Sequence, residues 1–458
     1  MEKIPELEMA ARIAEEVRKA SGRAYFAGGF VRDRLLGRES KDMDLEIHGI
    51  PVEMLEKILD RLGERIAVGA DFGVMKLRHY DLDIAMPRSE HATGRGHRDF
   101  DVIVDPFLGE EKAARRRDFT VNAMMQDVLT GEILDFFGGR EDLQNKRIRH
   151  VSSDTFPEDP LRVFRAAQFA ARFGFTVAPE TAELCAGMAV DALAGERVMA
   201  ELEKALLAAE TPSVFFEVLR EMQQLRDWFP ETGALIGVPQ NPEHHPEGDV
   251  WKHTMQVIDA AASLRELSRM PLALMLAALC HDFGKADTTT SVDGRLHAYG
   301  HEAAGVPAAD RFLGRLTKEV RLRTAVLDLV RYHMEPNRLV SDRAGTKSYM
   351  KLFDRTKTPE ELLLLAKADH MGRCAPGRSQ AALKTAYVPA ERKLGEMLAL
   401  YRQRMAGPHV MGRDLIEAGI QPDSAFGPAL KYAHKLQLAG LDKEEQLRQT
   451  LGYFRSHK

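Results

Sequence analysis

The stretch 25–48, YFAGGFVRDRLLGRESKDMDLEIH, constrains this chain more than any other part of the sequence. Its opening apolar run is typical of a short strand that ends at Gly28 and Gly29. A helical turn and then a second strand, which begins at DMD, are predicted to follow. Side chains two apart on a strand share one face, so Asp42 and Asp44 should project together, about 7 Å apart along the strand.

Two carboxylates held side by side repel each other and tend to take up protons unless a cation lies between them. Mg²⁺ fits this position, because it is a hard ion that prefers oxygen ligands and also binds substrate phosphates. The glycine pair supplies bare backbone that can approach a triphosphate closely. Asp83 alternates with apolar residues in a later strand-like segment and would complete the metal site. The pattern therefore indicates a nucleotide and metal site.

Length and composition are typical of a globular protein with several domains. A chain of 458 residues is too long for one core, so roughly two to four domains are expected. The longest apolar run, near 271–280, is far shorter than a membrane span requires. Three widely separated cysteines without a CxxC pattern argue against disulfides and a zinc knuckle. We expect a cytoplasmic protein without a membrane partner.

The net charge of −5 shows that the chain as a whole is not basic. A nucleic-acid-binding surface would therefore have to be local. The polar, glycine-rich segment 89–108 predicts a mobile loop. Arg115, Arg116 and Arg117 beside Asp118 predict the start of a helical turn.

Strand signals disappear from Asp154 onward, and helical patterns replace them. The segment FPEDPLRVFRAAQFAARFGF predicts an amphipathic helix whose first turn contains Asp159. Arg162, Arg165 and Gln168 then step along one face at intervals of three residues. An acceptor at Asp159 beside a donor at Arg162 would match the amino group and ring nitrogen of cytosine or adenine, and would reject guanine and uracil.

Histidines and aspartates gather in the second half of the chain. His281 and Asp282 are adjacent on a helical background, which favours a metal site over a core histidine. His253 upstream and Asp369 downstream would complete four ligands. Further candidate ligands or phosphate contacts are His301 and His333. The histidines for which we expect no metal role are His244, His245, His370 and His434.

Five motifs follow one another in a fixed order: GGFVRD, DMD, RRDFTVNA, EDPLRVFRAAQF and HDFGKA with a later ADHMGR. In this order they resemble the bacterial class II tRNA nucleotidyltransferase and poly(A) polymerase family, including CCA-adding members with an HD domain. The resemblance covers nearly the whole chain. It implies a multidomain α+β fold. The implied domains are a nucleotidyltransferase head with a small mixed sheet at 1–150, an all-helical neck at 151–235, an HD domain at 236–390 and a helical tail at 391–458.

The resemblance also implies roles for individual residues. The implied nucleotide contacts are Gly28, Gly29, Arg32, Arg117, Asp159, Arg162, Arg165 and Gln168. The implied Mg²⁺ ligands are Asp42 and Asp44, with Asp83 as the third carboxylate. The family usually has arginine where Gln168 stands, so this chain lacks one positive charge that the family places near the nucleotide.

The function implied is Mg²⁺-dependent, untemplated addition of CCA to the 3′ end of tRNA from CTP and ATP. A divalent metal in the HD half would act on phosphoesters such as 2′,3′-cyclic phosphates. Three related functions stay open because enzymes that have them share the head motifs: addition of A alone, addition of CC alone, and poly(A) polymerisation. A metal-dependent HD phosphohydrolase and a noncatalytic RNA-binding protein are alternatives of other classes, and the intact carboxylates and His–Asp pair speak against the last. The sequence leaves open whether the protein is a monomer or a homodimer.

Overall fold

The structure is a computed structural model that describes residues 5–39, 43–67, 74–92, 100–375 and 377–456. It divides into two compact units, one that ends at Trp228 and one that begins at Phe229. The first unit combines a mixed sheet with helices, and the second is mainly helical. The predicted α+β class, with a small mixed sheet in the head and helices beyond it, is therefore confirmed.

One mixed sheet forms the centre of the first unit. The strands of this unit are β1 (Arg23–Ala27), β2 (Met43–His48), β3 (Arg65–Ala67), β4 (Val74–Leu77), β5 (Leu82–Ala85), β6 (Arg88–Ala92), β7 (Phe100–Val104), β8 (Met125–Asp127), β9 (Ile133–Leu134), β10 (Arg147–Ile148) and β11 (Thr176–Val177). Seven of them form the sheet, in the order β3-β4-β5-β2-β1-β8-β9. Within it β2 and β5 run parallel, and the other neighbouring strands are antiparallel.

Strand β2 shows why this sequence puts charge on one face of the sheet. Met43, Leu45 and Ile47 are buried in the core. Because successive side chains of a strand point to opposite faces, Asp44 and Glu46 lie together on the other face. The alternation of apolar and acidic residues in MDLEIH thus separates a core face from a face that carries carboxylates.

Helices flank the sheet and continue to the end of the first unit. They are α1 (Pro5–Lys19), α2 (Gly29–Leu35), α3 (Val52–Leu62), α4 (Glu110–Arg115), α5 (Gly139–Gln144), α6 (Arg162–Phe173), α7 (Pro179–Ala186), α8 (Gly195–Ala208) and α9 (Ser213–Glu221). Short 3₁₀ turns occur at Thr120–Asn122 and Phe156–Glu158. Apolar side chains of α6 are buried throughout its length, which gives the first unit a helical core beside the sheet.

The predicted start of α6 is wrong by about one turn, and proline explains the difference. The sequence placed Asp159 in the first turn, but the helix begins at Arg162. Asp159 is extended, with φ −120° and ψ 100°. It precedes Pro160, whose ring disfavours the helical region for the preceding residue. Gly174, in the left-handed region at φ 67°, ends the helix.

Several helices of the second unit pack around one apolar helix. Its helices are α10 (Pro230–Gly233), α11 (Val250–Ala262), α12 (Pro271–Cys280), α13 (Lys285–Thr288), α14 (His301–Leu316), α15 (Val320–Tyr332), α16 (Glu335–Ser341), α17 (Thr346–Arg355), α18 (Pro359–Met371), α19 (Gln380–Ala386), α20 (Val388–Ala406), α21 (Gly412–Glu417), α22 (Phe426–Ala439) and α23 (Lys443–Ser456). The helix α12, PLALMLAALC, is buried from Ala273 to Cys280. A helix that is apolar on every side lies inside a core. The residues that directly follow α12 are therefore buried in the same core.

A separate apolar cluster holds the end of the second unit together. Its buried members include Leu415, Ala429, Ala433 and Phe454, which come from α21, α22 and α23. Among the described residues no helix combines the length and the apolar character needed to cross a membrane.

Two further sequence expectations differ from the structure. The segment 89–108 is not one loop, because β6 and β7 pair as an antiparallel ribbon with Arg88 opposite Val104; its residues 93–99 lie outside the described residues. The strand FDVIV is rich in β-branched residues, which favour extended structure. Strands also continue beyond Asp154, as the β10–β11 pair and as a hairpin of β12 (Thr290–Val292) and β13 (Arg295–His297).

Candidate functional site

Two strand carboxylates of the first unit face each other. The parallel register of β2 and β5 puts Asp44 opposite Asp83. The residues on either side of Asp83 are buried in the core, so its side chain belongs to the same face of the sheet as Asp44. Lys76 Nζ lies 2.7 Å from Asp83 Oδ1. Asp42, the predicted partner of Asp44 in the metal site, lies outside the described residues.

A cavity of about 290 Å³ opens over this pair. The charged residues that line it are Asp44, Glu46, Asp83, Arg88, Arg116 and Arg117. Carboxylate oxygens suit a hard divalent cation, and guanidinium groups suit phosphate oxygens. The cavity therefore brings together the two kinds of group that a metal–triphosphate complex requires.

Arg117 is held by a carboxylate that the sequence analysis did not single out. Its Nη2 donates to Glu46 Oε2 at 2.6 Å. Burial alone would raise the pKa of Glu46, but Arg117 and His48 outweigh it and lower that pKa to about 2. A side chain at Gly28 would place its Cβ 2.9 Å from Arg117 Nη1 and 3.7 Å from Asp44 Oδ2. Gly28, at φ 68°, thus leaves room for the arginine beside the carboxylate.

Arg32 takes part in a buried network. Its Nε donates to Asp33 Oδ1 at 2.9 Å, and its Nη1 donates to Asn122 Oδ1 at 2.6 Å. Its guanidinium also lies 4.5 Å from the centre of the Phe173 ring. Burial lowers the pKa of Arg32 although Asp33 opposes the shift. Arg32 is not among the described residues that line the cavity, and instead joins α2 to the 3₁₀ turn and to α6.

The same network reaches Arg165. Arg165 Nε donates to Asp118 Oδ2 at 2.7 Å, and Asn122 Nδ2 donates to Asp118 Oδ1 at 3.0 Å. Burial would raise the pKa of Asp118, but Arg165 and Asn122 together lower it. Residues from the GGFVRD, RRDFTVNA and EDPLRVFR motifs are therefore tied to one another. Asp118 and Asn122 act as connectors that sequence reasoning assigned no role, although both stand within a quoted motif.

Asp159 and Arg162 are each bound to partners of their own. Both η nitrogens of Arg162 donate to backbone carbonyls, at 2.7 Å to Thr155 and at 2.8 Å to Arg116. The carboxylate of Asp159 accepts from Arg197 Nη2 at 3.2 Å. The two predicted base-reading residues therefore lie near the same helix start. Arg197 on α8 joins them, because it binds Asp159.

Gln168 lies inside the helical core. Its side chain belongs to the buried face of α6, with the residue 1% exposed. Among the described residues its Nε2 has no hydrogen-bond partner. Gln168 is thus buried, whereas Arg162 and Arg165, which share its predicted face, are half-buried. The difference arises because α6 is covered on more than one side by α8 and α9.

A second constellation lies in the second unit, at the end of α12. His281 and Asp282 follow that buried helix directly. His253 of α11 has its Nε2 3.4 Å from His281 Nε2 and 3.2 Å from Asp369 Oδ1 of α18. The four predicted ligands are therefore together, and each of them is at most 2% exposed.

The two further candidate histidines adjoin the same aspartate. His301 Nε2 and His333 Nε2 lie 3.3 Å apart. They stand 3.4 and 3.7 Å from Asp282 Oδ1, whereas His281 Nε2 is 3.2 Å from Asp282 Oδ2. The groups His253–His281–Asp369 and Asp282–His301–His333 each have the spacing of metal ligands. The structure thus contains residue groups in the second unit that can hold a divalent metal.

Hydrogen bonds fix the direction of these imidazole rings. The Nδ1 atoms of His281, His301 and His333 each lie 2.8 Å from a backbone carbonyl oxygen, those of Ala278, Ala298 and Val330. A carbonyl oxygen can only accept, so each Nδ1 carries a proton, and Nε2 is the ring nitrogen that faces the cluster. This second contact is what metal-binding histidines need to hold their ligand nitrogen in place.

Charged side chains surround the cluster. Glu247 Oε1 lies 2.8 Å from Nδ1 of both His245 and His253. Lys285 Nζ is 2.7 Å from Asp282 Oδ2 and also donates to Gln240 Oε1 at 2.8 Å. These neighbours come from the polar loop before α11 and from FGK after the His–Asp pair. Only the three-dimensional arrangement could assign them to the cluster.

The cluster stabilises its own charged groups. Burial would raise the pKa of Asp282, but His281 and Lys285 hold it well below its ordinary value. Arg373 and His253 do the same for Asp369. Burial lowers the pKa of His333 to about 3. The aspartates are therefore ionised and His333 is neutral near pH 7, as metal ligands are. His253 differs from them, because burial would lower its pKa but Asp369 and Glu247 outweigh burial and raise it.

A basic groove lies elsewhere in the second unit, between α17 and α22. Its cavity measures about 970 Å³. The basic residues that line it are Lys347, Lys351, Arg355, Arg404, Lys431, His434 and Lys435. Its one acidic lining residue among those described, Asp354, is bound to His434 Nε2 at 2.7 Å. The chain as a whole is acidic, so this groove is a local basic surface.

Three family models match the chain in succession. The model described as "Poly A polymerase head domain" covers residues 24–149, "Probable RNA and SrmB- binding site of polymerase A" covers 174–235, and "HD domain" covers 250–373. Together with the carboxylates on the sheet and the His–Asp cluster, these matches define a nucleotidyltransferase of the poly(A) polymerase class that carries an HD domain.

The sequence relatives narrow this class to one family. The chain is 42% identical over 389 residues to a "Multifunctional CCA protein" of Aromatoleum aromaticum, which covers 81% of this chain and 91% of the relative. It is 41% identical over 360 residues to a "Multifunctional CCA protein" of Halorhodospira halophila, covering 76% and 83%. The chain belongs to the multifunctional CCA protein family.

Solved structures support the fold. A CCA-adding enzyme of Thermotoga maritima in complex with tRNA has a TM-score of 0.62 and 19% identity, covering 98% of this chain and 96% of the other. A Bacillus stearothermophilus CCA-adding enzyme in complex with CTP has a TM-score of 0.64 and 22% identity, covering 99% of each. At this level of identity the likeness establishes a common fold.

Proposed function

We propose that this protein is a Mg²⁺-dependent nucleotidyltransferase that adds CCA to the 3′ end of tRNA from CTP and ATP. The observation that carries the proposal is the cavity in which Asp44 faces Asp83 beside Arg117. Membership of the multifunctional CCA protein family supports it. The expected location is the cytoplasm, since that is where a tRNA-processing enzyme meets this substrate.

In the proposed reaction the tRNA 3′-oxygen bonds to the α-phosphorus of the incoming nucleotide, and the bond to pyrophosphate breaks. The two facing carboxylates, with Asp42 as their proposed partner, fit Mg²⁺, because all three offer oxygen ligands. Bound there, Mg²⁺ would lower the pKa of the attacking hydroxyl and neutralise charge on the leaving oxygens. Arg117, oriented by Glu46, would bind triphosphate oxygens through charge-assisted hydrogen bonds.

Base selection is proposed to depend on Asp159 and Arg162. A carboxylate has about four acceptor positions and a guanidinium has five N–H donors, so the contacts that hold these two side chains do not use up their capacity. The carbonyls that bind Arg162 fix its plane, and Arg197 fixes Asp159. Both groups can therefore be preorganised for one pattern of acceptor and donor. Gly29, Arg32, Arg165 and Gln168 remain proposed contributors to the nucleotide site.

The decisive experiment uses purified protein and tRNA that lacks its terminal CCA. Incorporation is followed with CTP alone, ATP alone and both together. CCA addition predicts two residues with CTP alone and a third only when ATP is also present. An A-adding or CC-adding enzyme would stop at its own step, and a poly(A) polymerase would extend the end with ATP alone.

A second activity is favoured by the His–Asp cluster. We propose that His253, His281, Asp282 and Asp369 hold a divalent metal and that this half hydrolyses phosphoesters. The ionised aspartates and the oriented Nε2 atoms fit such an ion. Metal analysis of the purified protein, followed by phosphoesterase assays with several divalent ions, tests it. The absence of both metal and hydrolysis would contradict the proposal.

The basic groove is proposed as the surface for the tRNA backbone. Phosphate contacts from lysine and arginine give most of the affinity of proteins for nucleic acid. The groove also has an apolar side formed by Met350, Leu430 and Leu436, which can pack against ribose.

The proposed domains remain a head at 1–150, a neck at 151–235, an HD domain at 236–390 and a tail at 391–458.

A further inference from the structure

A third acidic side chain lines the cavity in which the triphosphate is proposed to bind. Glu46 lies two residues after Asp44 on the same face of β2 and is one of the lining residues. It is ionised near pH 7, since its pKa is about 2. An uncompensated negative charge at this position would repel phosphate oxygens. The neighbours that compensate Glu46 therefore indicate its role.

Each oxygen of Glu46 meets a different donor. Oε2 accepts from Arg117 Nη2 at 2.6 Å, and Oε1 lies 2.9 Å from His48 Nε2. An ionised carboxylate can only accept hydrogen bonds, so His48 Nε2 carries a proton and donates it. The side chains of Glu46 and His48 are 14% and 5% exposed. The three residues thus form a chain of contacts that runs from a buried histidine to the cavity.

His48 is fixed in place by packing. It does not belong to the described residues that line the cavity. Its ring stands edge-on to the ring of Tyr25, with the ring centres 5.4 Å apart and 88° between the planes. Tyr25 is itself buried, and its hydroxyl donates to Glu110 Oε1 at 2.9 Å. Close packing of this kind leaves a side chain few rotamers, so the N–H of His48 Nε2 has a fixed direction.

Arg117 depends on Glu46 for its direction. The Nε of Arg117 is buried and has no hydrogen-bond partner among the described residues. Its Nη1 lies beside the backbone of Gly28, where an added Cβ would be only 2.9 Å away. A free arginine side chain has many rotamers. The bond from Nη2 to Glu46 is therefore what keeps Nη1 beside the glycine turn.

The same contacts argue against Glu46 as a further metal ligand. In the register of β2 and β5, Asp44 stands opposite Asp83, whereas Glu46 stands opposite Ala85. A metal ion at either oxygen of Glu46 would lie beside a guanidinium or an N–H that already donates to that oxygen. Glu46 thus belongs to the arginine and not to the carboxylate pair.

We propose that His48 positions Arg117 for triphosphate binding and that it acts through Glu46. The N–H of His48 orients the carboxylate, and the carboxylate holds the guanidinium beside Gly28. There the remaining N–H groups of Arg117 meet the phosphate oxygens of the incoming nucleotide. The inference rests on the proposed nucleotidyl transfer and deepens it, because it assigns a positioning role to a histidine outside the cavity.

The test measures KM and kcat of the full chain, for CTP with tRNA that lacks its CCA end and for ATP with tRNA that ends in CC. His48→Phe keeps a buried ring but loses the N–H donor. It should raise KM for both nucleotides by about three- to tenfold, because Arg117 is then ordered only when nucleotide binds. The change in kcat should stay below about twofold, as expected when binding alone is weakened.

Two amide variants separate the hydrogen bond from the shape of the ring. His48→Gln places an amide donor close to the position of Nε2 and should keep KM near the wild-type value. The shorter amide of His48→Asn ends near the position of Nδ1, so this variant should raise KM as His48→Phe does. An equal KM in His48→Asn and His48→Gln would overturn the role of the Nε2 donor. This comparison also decides the proposal if His48→Phe does not fold.

A double-mutant cycle shows whether His48 acts through Arg117. Arg117→Ala removes the guanidinium, so the addition of His48→Phe should raise KM no further. The same increase in both backgrounds would overturn the proposal. A higher Mg²⁺ concentration for half-maximal rate in Glu46→Gln would make Glu46 a metal ligand and would also overturn it.

His150→Phe is the matched control. His150 also lies in the first unit, but its ring nitrogens bond Thr181 and Ser153 and it does not line the cavity. It should keep the wild-type KM, and thermal unfolding shows that each variant folds. An unchanged KM in a folded His48→Phe chain would contradict the role of His48 alone. Absence of incorporation by the wild type would instead contradict the proposed function.

Discussion

Asp44 stands directly opposite Asp83 in the parallel register of β2 and β5. Neighbouring strands are about 4.8 Å apart, so two carboxylates on one face at this register repel each other unless a cation neutralises them. Lys76 supplies a positive charge to Asp83 only from the side of β4. The strand pairing, and not either residue alone, therefore creates the proposed metal position.

Removing either carboxylate should stop nucleotide addition. Asp44→Ala and Asp83→Ala are each expected to lower CTP incorporation by about a hundredfold or more, since the metal supplies several kcal/mol of transition-state stabilisation. Binding of tRNA should change little. The measurement is single-turnover incorporation together with a filter-binding assay.

Asp81→Ala is the matched control for these variants. Asp81 also contacts Lys76, at 3.3 Å, but its side chain is 74% exposed and it does not line the cavity. It should keep near-normal incorporation. Near-normal incorporation by Asp44→Ala would instead remove this residue from the proposed metal site.

The pair of Glu46 and Arg117 should make stability depend on acid pH. The pKa of Glu46 is about 2 in the folded chain against an ordinary 4.5. Its lowered pKa stabilises the fold above about pH 4.5, and that contribution is lost as pH falls toward 2. Glu46→Gln should lower the unfolding free energy at pH 7 by about 1–3 kcal/mol. Urea unfolding at pH 7, 5, 4 and 3 would measure the difference, which should shrink at the lower values.

Glu64→Gln serves as the comparison for Glu46→Gln. Glu64 pairs with Arg78 at 2.6 Å, but the two side chains are 63% and 51% exposed. Exposed pairs contribute about 0–1 kcal/mol, so this variant should be nearly neutral. Equal effects of the two substitutions at every pH would contradict the assigned role of burial.

The sequence was sufficient for features that depend on short-range alternation. The two-residue period of a strand indicated which face carries Asp44, and the alternation of Asp83 with apolar residues indicated a second carboxylate that could lie beside it. It could not show that Arg32 bonds Asn122, because that contact joins residues 90 positions apart. It also misplaced the start of α6, since the helical pattern of the segment outweighed the effect of Pro160 on Asp159. Interatomic contacts of this kind depend on how elements pack, which the pattern within an element does not contain.

The basic groove should control the salt dependence of tRNA binding. Lys431 and Lys435 line the groove on α22 and are exposed. The double change Lys431→Glu and Lys435→Glu is expected to weaken tRNA binding and to reduce the slope of log Kd against log salt concentration by about two. Turnover at saturating tRNA should be little changed, because these residues are not part of the carboxylate cavity.

Lys393→Glu is a suitable control for charge alone. Lys393 is exposed on α20 and does not line the groove. If it weakens binding as much per substitution as the groove variant, then net charge and not the groove determines affinity.

The two proposed activities should be separable. His281→Ala removes an imidazole from the cluster at the end of α12, and should lose bound metal and phosphoesterase activity. Incorporation of CTP should persist, since the carboxylate cavity lies in the other unit. Elemental analysis, a phosphoesterase assay and CTP incorporation on the same preparation measure this. Loss of both activities with an unchanged thermal unfolding curve would show that the sites depend on each other.

Asp159→Ala should relax base selection. Ionised Asp159 can only accept hydrogen bonds and Arg162 can only donate, a pattern that matches cytosine and adenine. Guanine and uracil would set donor against donor and acceptor against acceptor, at about 1–3 kcal/mol for each unpaired group. The wild type should therefore reject GTP and UTP, and the variant should accept them better relative to CTP while slowing addition. Single-nucleotide incorporation with all four triphosphates measures both effects.

Two comparisons decide whether Asp159 acts on the base directly. Asp154→Ala, at an exposed position before the 3₁₀ turn, should keep the wild-type preference. Arg197→Gln removes the side chain that holds Asp159 at 3.2 Å but leaves the acceptor oxygens, so it should weaken the preference less than Asp159→Ala does. If Asp159→Ala slows all four nucleotides equally, the carboxylate only stabilises the start of α6, where it accepts from the backbone nitrogen of Leu161 at 3.1 Å, and the base must be read by other groups.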